Sequence, residues 1–305
     1  AAVQARRLRR INPELAVIAI ADTLENVPMG RLRGLLLGCV DSRVARRTLN
    51  WLAWRLGVPW IDAGVHGEEL LARINVHMPG PAQPCLECAW EARDYETLEQ
   101  AYPCAGNVTP PATNAPSALG ALAAALQALE CRKLLEGDRE RLAIGKQVTV
   151  SARTHRHYVT RFAVNPACRF DHETWRIEVL ARGPEHVTVR EAFELGRGVE
   201  TGGEPLRLGV PHQTFASALC CLACGDRRGF SLYLLGRLDV AEQRCARCGG
   251  RMRAAGADLF EWLPEADLPP AMKSVPLRSL GFRRGDVFTV AGAAGAPHFQ
   301  IGATA

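Results

Sequence analysis

Two sets of paired cysteines limit most tightly how this chain can fold. Cys85-Leu-Glu-Cys88 has no partner nearby, and its distant counterpart is Cys168-Arg-Phe-Asp-His172. Cys221-x-x-Cys224 and Cys245-x-x-Cys248 are separated by twenty residues, the arithmetic of a zinc ribbon. Thiolate and imidazole complete a tetrahedral zinc site, so Cys85, Cys88, Cys168 and His172 read as one long-range site, with Asp171 the alternative fourth ligand. Cys221, Cys224, Cys245 and Cys248 read as a second, local one. Cys220, beside Cys221, leaves open a register one residue earlier. Each set must close into a cluster a few ångströms across, whatever else the chain does.

Composition narrows the setting. Eleven cysteines in 305 residues are too sparse for a small disulfide scaffold. CxxC pairs in a chain showing no signal peptide point to metal binding in a reducing compartment, so a cytoplasmic protein is expected. The net charge of +5 comes from scattered arginines and reads as a solvated surface rather than a nucleic-acid footprint. No stretch approaches the roughly 18 apolar residues of a spanning helix, and no membrane partner is expected. The chain opens at Ala1 inside an apparent helix, as a chain missing its beginning does.

The hydrophobic pattern predicts an α/β fold. A helix over residues 1–10 ends at Asn12-Pro13, and Ala16–Ile20 is a short apolar run of the buried-strand type. Gly34–Val40 predicts another buried strand. Ser42 caps a helix carrying Leu49, Leu52 and Leu56, and Gly57 ends it. Strands follow at 58–63 and 73–78; strand, helix and strand alternating at this spacing predict a mostly parallel sheet. Residues 79–115 read as irregular, Ser117 as the cap of a helix running to Gly137 (Leu119, Leu122, Leu126, Leu129), and 147–164 as a hairpin. Beyond residue 175 come strands at 176–181 and 206–210 around a helix at 189–195. The ribbon lies within 219–252, with a strand at Phe230–Leu235, and a turn falls at Arg284-Gly285-Asp286. Two domains are expected, 1–175 and 176–305, the second a smaller α+β domain.

The chemistry-bearing residues gather after the strand at Gly34–Val40. Open α/β sheets bind ligands at strand carboxyl ends, and Asp41 stands there. An acid in that place can hold magnesium, while the following helix N-terminus and Arg46 favour phosphate oxygens; Asn50 lies one turn beyond Arg46. On spacing alone, a strand-end turn residue and a surface charge are the alternatives. Cys39 and Cys131 read as packing residues, His66 as a loop histidine, and His155 and His157 as one strand face.

Several motifs together resemble the ThiF/MoeB/HesA family, which includes the ubiquitin-activating enzymes. They are Ile11-Asn12-Pro13 after a basic helix, Cys39-Val40-Asp41-Ser42, Arg46, Asn50, Gly57-Val58-Pro59, Asp62-Ala63-Gly64 and Pro84-Cys85-x-x-Cys88. The resemblance runs from residue 1 to about 175 and implies a Rossmann-like fold. It also implies ATP- and Mg2+-dependent adenylation of the C-terminal carboxylate of a ubiquitin-like or sulfur-carrier protein. It makes Asp41 the catalytic, magnesium-holding aspartate and places Ser42, Arg46 and Asn50 in the nucleotide signature, with Ser42 departing from the usual asparagine. It gives Cys85, Cys88 and their partners a structural zinc (Zn2+), and the protein a homodimer. It offers Cys104 as the thioester nucleophile, with a loop cysteine of no role as the alternative.

The family's G-x-G-x-x-G loop, ribose-binding acid and phosphate-binding Arg and Lys precede the helix that opens this chain. Gly137 to Lys146 does not replace the loop, with seven residues between its glycines. The chain is therefore expected to be a fragment of an adenylyltransferase, or else a catalytically incomplete scaffold relative that keeps partner binding. A third reading, a ribbon binding nucleic acid through Arg227, Arg228, Arg244, Arg247 and Arg251, remains beside these.

Overall fold

The computed structural model describes residues 1–99, 115–197, 205–228, 232–238, 241, 243–254 and 258–302. α1 (Ala2–Ile11) ends at Asn12, whose φ of −135° and ψ of 102° are the extended backbone expected ahead of a proline. The run Ala16–Ile20 forms no strand; it is irregular and mostly exposed, Ile18 to 77%. A buried strand needs a ladder neighbour as well as apolar residues, and no described strand pairs with this one.

The chain divides into two compact units, Leu32–Trp175, and Ala1–Arg31 together with Arg176–Ala305. The Leu32–Trp175 unit contains β1 (Leu36–Gly38), α2 (Arg43–Leu56), β2 (Trp60–His66), β3 (Leu71–His77), α3 (Ala92–Glu99), α4 (Ser117–Leu135), β4 (Lys146–Ser151) and β5 (Arg156–Arg161). Its five strands lie in the order β1-β2-β3-β4-β5. The α/β class holds, but within this sheet's ladders parallel pairing is confined to β1 and β2, where Leu36 faces Trp60 and Gly38 faces Asp62. The other three pairs are antiparallel. Connection length explains the change at β3: α2 is long enough for a crossover from β1 to β2, whereas the Gly67–Leu70 turn between β2 and β3 permits only a hairpin.

Local chemistry sets these boundaries. Ser42 Oγ accepts the Ala45 N–H at 3.1 Å, capping α2, and Gly57 ends it in the left-handed region at φ 64°. Ser117 is the first residue of α4 and makes no cap; the helix follows Pro116, which bears no side-chain acceptor. α3 forms inside the stretch expected to be irregular. There Asp94 Oδ2 accepts the Glu91 N–H at 3.0 Å, satisfying an end donor, and Tyr95 meets Trp90 edge-on.

The two faces of this sheet differ sharply. Ile61, Ala63, Ala72, Ile74, Val76 and Val148 form the apolar face, packed on Leu119, Leu122, Ala123 and Leu126 of α4. Leu129 points away from it and is exposed. On the opposite face pairing aligns Gly38, Asp62, Asn75 and Gln147 in one row, and Gly64, Arg73 and Thr149 in the next. Period-two alternation produces this division.

The other unit is built on a sheet ordered β14-β7-β15-β16-β6. Its strands are β6 (Ile177–Val179), β7 (Arg207–Gly209), β14 (Trp262–Pro264), β15 (Val287–Ala291) and β16 (His298–Gln300), with α5 (Val189–Arg197) and α6 (Pro270–Lys273). Phe193 of α5, with Leu208, Phe288, Val290 and Phe299, lies in its core. Gly285, in the expected turn, takes φ 88°. Two small sheets complete it. One is β9 (Leu219–Cys221) between β10 (Arg227–Arg228) and β12 (Met252–Arg253); the other is β8 (Phe215–Ala216) between β11 (Tyr233–Leu234) and β13 (Leu259–Phe260). The strand expected within the ribbon, so far as it is described, is therefore β11 and pairs elsewhere. Leu234 is wholly buried in the main core, and that burial draws the strand off the ribbon.

Candidate functional site

A charged cluster assembles at the carboxyl end of β1 from residues of α2, β2 and β3. Asp41 is separated from β1 by two residues, stands ahead of the Ser42 cap and is exposed; among the described residues its carboxylate makes no hydrogen bond or ion pair. Ser42 spends its hydroxyl on capping α2. Arg46, on the first turns of that helix, turns back to the sheet. Its Nε donates to both oxygens of Asp62, at 2.9 and 3.2 Å, and its Nη2 donates to the Val40 and Ala63 carbonyls at 2.8 and 3.3 Å. Asp62 has no exposed surface, and on its other side Arg73 Nη1 lies 3.3 Å away. Burial pushes the Asp62 carboxyl up, and the two guanidiniums pull it back. The same Arg73 nitrogen donates to Asn75 Oδ1 at 2.9 Å.

Gly64 makes this arrangement possible. It stands opposite Arg73 in the ladder, and a Cβ there would lie 3.1 Å from Arg73 Nε and 3.2 Å from Arg46 Nη2. The missing side chain thus leaves room for two guanidiniums to converge. Asp62 and Arg73 carried no assigned role in the sequence reading. The signal was present in the alternation, since Asp62 and Gly64 fall on one face and Asn75 and Arg73 fall opposite them.

Asn50 belongs to a different structure. It is wholly buried, and its Oδ1 accepts the Leu86 N–H at 3.1 Å, tying α2 to the turn that carries Cys85 and Cys88. Cys39 also differs from expectation. It is exposed rather than packed, its Sγ 3.3 Å from Gln127 Oε1, because β1 is buried on one face only. Gln127 in turn donates to the Gly38 and Ile61 carbonyls, joining α4 to both strands. Cys131 packs against the apolar sheet core. Cys104 lies outside the described residues.

Cys85, Cys88, Cys168 and His172 come together, their ligand atoms all within 4.8 Å of one another. Cys85 Sγ is 3.8 Å from Cys88 Sγ and 3.7 Å from Cys168 Sγ, and Cys88 Sγ is 3.1 Å from His172 Nε2. Thiolates about 2.3 Å from a shared tetrahedral ion stand about 3.8 Å apart, so the spacing fits a metal. Burial and the neighbouring thiols push the Cys85 thiol up, a conflict that a divalent cation resolves. Asp171 is occupied otherwise: its two oxygens take Arg55 Nη1 and Nη2 at 2.7 and 2.6 Å. Arg55 also donates to the Glu173 carbonyl and lies against the rings of Trp51, Phe170 and Trp175.

Cys221, Cys224, Cys245 and Cys248 form the second cluster, Cys221–Cys248 at 3.4 Å and Cys224–Cys245 at 3.7 Å. Each CxxC turn closes alike. Gly225 and Gly249 take φ near 71°, and their N–H groups donate to the carbonyls of Cys221 and Cys245. Amides of Cys224 and Ala223 bring the Cys221 thiol down to about 7, while its neighbours Cys224 and Cys248 are pushed up. Cys220 lies outside the cluster, which settles the register.

The structure thus defines a mixed α/β protein with charged residues at its strand ends and two sulfur-rich clusters that could each hold a metal ion. The family model described as "ThiF family" matches residues 1–170, and the chain belongs to that family. No curated protein matches it. Among solved structures it is similar to E. coli MccB with ATP, at 19% identity and a TM-score of 0.42, covering 55% of this chain and 48% of that one. It is similar to microcin C7 biosynthetic enzyme MccB in complex with N-formylated MccA at 18% and 0.41, covering 54% and 49%. Selenomethionine PaaA follows at 15% and 0.36, covering 51% and 52%. The chain spans about half the length of these proteins, and likenesses at this level establish neither fold nor function. No helix among the described residues is long and apolar enough to cross a membrane.

Proposed function

We propose that the chain is part of an ATP-dependent adenylyltransferase that activates the C-terminal carboxylate of a peptide or small carrier protein of ubiquitin-like or sulfur-carrier type. Membership of the ThiF family supports the reaction class. The observation that carries the site assignment is Asp41, open at the carboxyl end of β1 beside the N-terminus of α2 and the Arg46–Asp62 pair. An exposed carboxylate with no protein partner suits magnesium, which keeps several waters and takes one or two carboxylates.

The difficulty of the reaction is electrostatic, because a carboxylate must approach a triphosphate. Bound Mg-ATP supplies the adenylyl group, with pyrophosphate as the leaving group. Asp41 holds the cation side of that charge, while Arg46 and the α2 N-terminus stabilise negative oxygens where they develop. Ser42 keeps that terminus ordered, and Asn50 holds α2 against the cysteine turn. Cys85, Cys88, Cys168 and His172, and separately Cys221, Cys224, Cys245 and Cys248, each take a structural zinc. The Leu32–Trp175 unit forms the activating domain expected over 1–175, while residues 1–31 group with the ribbon-bearing partner domain 176–305, in a cytoplasmic homodimer.

ATP–pyrophosphate exchange by the full-length protein with a glycine-terminated carrier tests this reading. Asp41→Ala is expected to remove exchange, and exchange at the wild-type rate in that variant refutes the site. Cys104→Ala is expected to keep exchange and lose any carrier thioester. Carrier binding without exchange by the wild type marks the catalytically incomplete relative instead.

A further inference from the structure

The two arginines beside Asp62 are unequally used. Arg46 commits Nε and Nη2 to Asp62 and to backbone carbonyls. Arg73 commits Nη1 alone, to Asn75 and Asp62. Among the described residues its Nε and Nη2, the edge that grips an oxyanion with two parallel hydrogen bonds, have no partner and lie over the gap left by Gly64. Two guanidiniums share the one buried carboxylate, so Asp62 neutralises Arg73 only in part. About a third of the Arg73 side chain remains exposed.

The surroundings reinforce the point. Arg73 sits on the polar face of the sheet, whose neighbours in register are Asn75, Gln147 and Thr149, continuing to the exposed Tyr158 and Thr160 of β5. An apolar ligand has no counterpart there, whereas an anionic group at the end of a hydrogen-bonding chain does. A lysine at 73 would offer a point charge without the two-pronged edge.

We propose that Arg73 is a second oxyanion-binding residue of the candidate site, and that buried Asp62 is the positioning residue holding it beside Arg46. The proposal rests on the adenylation reading in that its ligand is an oxyanion of that reaction, either the carrier's terminal carboxylate or a nucleotide phosphate. Asp62 fixes both guanidiniums, so the Nε and Nη2 edge of Arg73 is held over Gly64 rather than left to sample solvent.

The test follows the Arg73 Nε–H resonance of the full-length protein by NMR during titration with inorganic pyrophosphate and, separately, with N-acetylglycine. One probe or both should shift that resonance to saturation, and which one does so identifies the source of the oxyanion. Arg73→Gln is expected to weaken that probe roughly 10- to 100-fold, Arg73→Lys to restore part of the loss, and Asp62→Asn to weaken binding with the backbone amide spectrum retained. If Asp62→Asn fails to fold, the Arg73 variants decide alone. An Arg73 resonance unmoved by both probes, or affinities unchanged in Arg73→Gln, overturns the proposal. Exchange kinetics on the same variants separate it from the adenylation reading. Arg73-dependent probe binding without exchange removes that reading and leaves the clamp; exchange with an unchanged KM in Arg73→Gln removes the clamp and leaves the reading.

Discussion

Replacing Arg55 by methionine tests whether the Cys85 metal cluster depends on the residues that orient its histidine. The side chain is 7% exposed and donates three short bonds, two to Asp171 and one to the Glu173 carbonyl. Those groups flank His172, which sits at φ 57°, a left-handed conformation costing a residue with a Cβ about 1–2 kcal/mol. Strain of that kind persists only while the neighbours are held. Methionine keeps much of the apolar contact with Trp51, Phe170 and Trp175 but removes the bonds.

Removing one partner of a buried ion pair commonly costs about 3–5 kcal/mol, because a charge is left stranded. That figure does not apply here, since the Asp171 side chain is 54% exposed and recovers water. The expected loss is that of charge-assisted hydrogen bonds, roughly 1.5–3 kcal/mol. Part of it appears as metal affinity, because His172 relaxes toward ordinary backbone geometry once unclamped. Groups that orient metal ligands typically control 10- to 100-fold in affinity, about 1.4–2.7 kcal/mol. Zinc competition against a chromophoric chelator measures this, with Arg132→Met, which breaks an exposed pair with Glu136, as the control expected to change nothing. An Arg55→Met protein holding zinc within twofold of wild type would falsify the argument that this clamp sets the cluster.

Three further outcomes are expected. Metal analysis of the full chain should find about two zinc ions, and Cys245→Ser should remove one while leaving the other; losing both would mean that the clusters are not independent. His77 is buried against the Trp60 ring, and burial lowers its pKa to about 4. The folded state therefore keeps it neutral: the associated stability is complete above pH 6.5 and is lost as pH falls from there toward 4, by roughly 3 kcal/mol. Urea unfolding at pH 7 and pH 4.5 should show that loss largely absent in His77→Gln, and equal losses in both proteins refute it. Gly57→Ala, which forces a Cβ into φ 64°, should destabilise α2 by about 1 kcal/mol in the same assay.

How far the sequence carried depended on the kind of signal each element has. Capping and periodicity are local, so α2 from Ser42 to Gly57 and the β4–β5 hairpin were readable from short windows. The ligand sets were readable across eighty residues because zinc chemistry restricts the choice: a Cys-x-x-Cys pair without a neighbour needs two more donors, and Cys168 and His172 were available. What escaped had no such restriction. Ala16–Ile20 looks like a strand, but pairing is a property of a neighbour that the run itself does not encode. Cys39 looks like core, yet its exposure follows from β1 being covered on one face only. The direction of β3 was set by the length of the Gly67–Leu70 turn rather than by anything within the strands.

The charged cluster shows most clearly why fold and site were unequally readable. Asp41, Ser42 and Arg46 are close in sequence, so a strand-helix junction reveals them together. Asp62 and Arg73 reach the same place only through register, because Gly64 must stand opposite Arg73 and Asp62 opposite Asn75. A slip of one residue in the β2–β3 pairing would carry Arg73 to the apolar face beneath α4. Packing of Ile61, Ile74 and Val76 on the other side therefore fixes the polar row as firmly as any bond within it. The apolar core and the charge cluster are two faces of one register, and a substitution that loosens the first is expected to misplace the second.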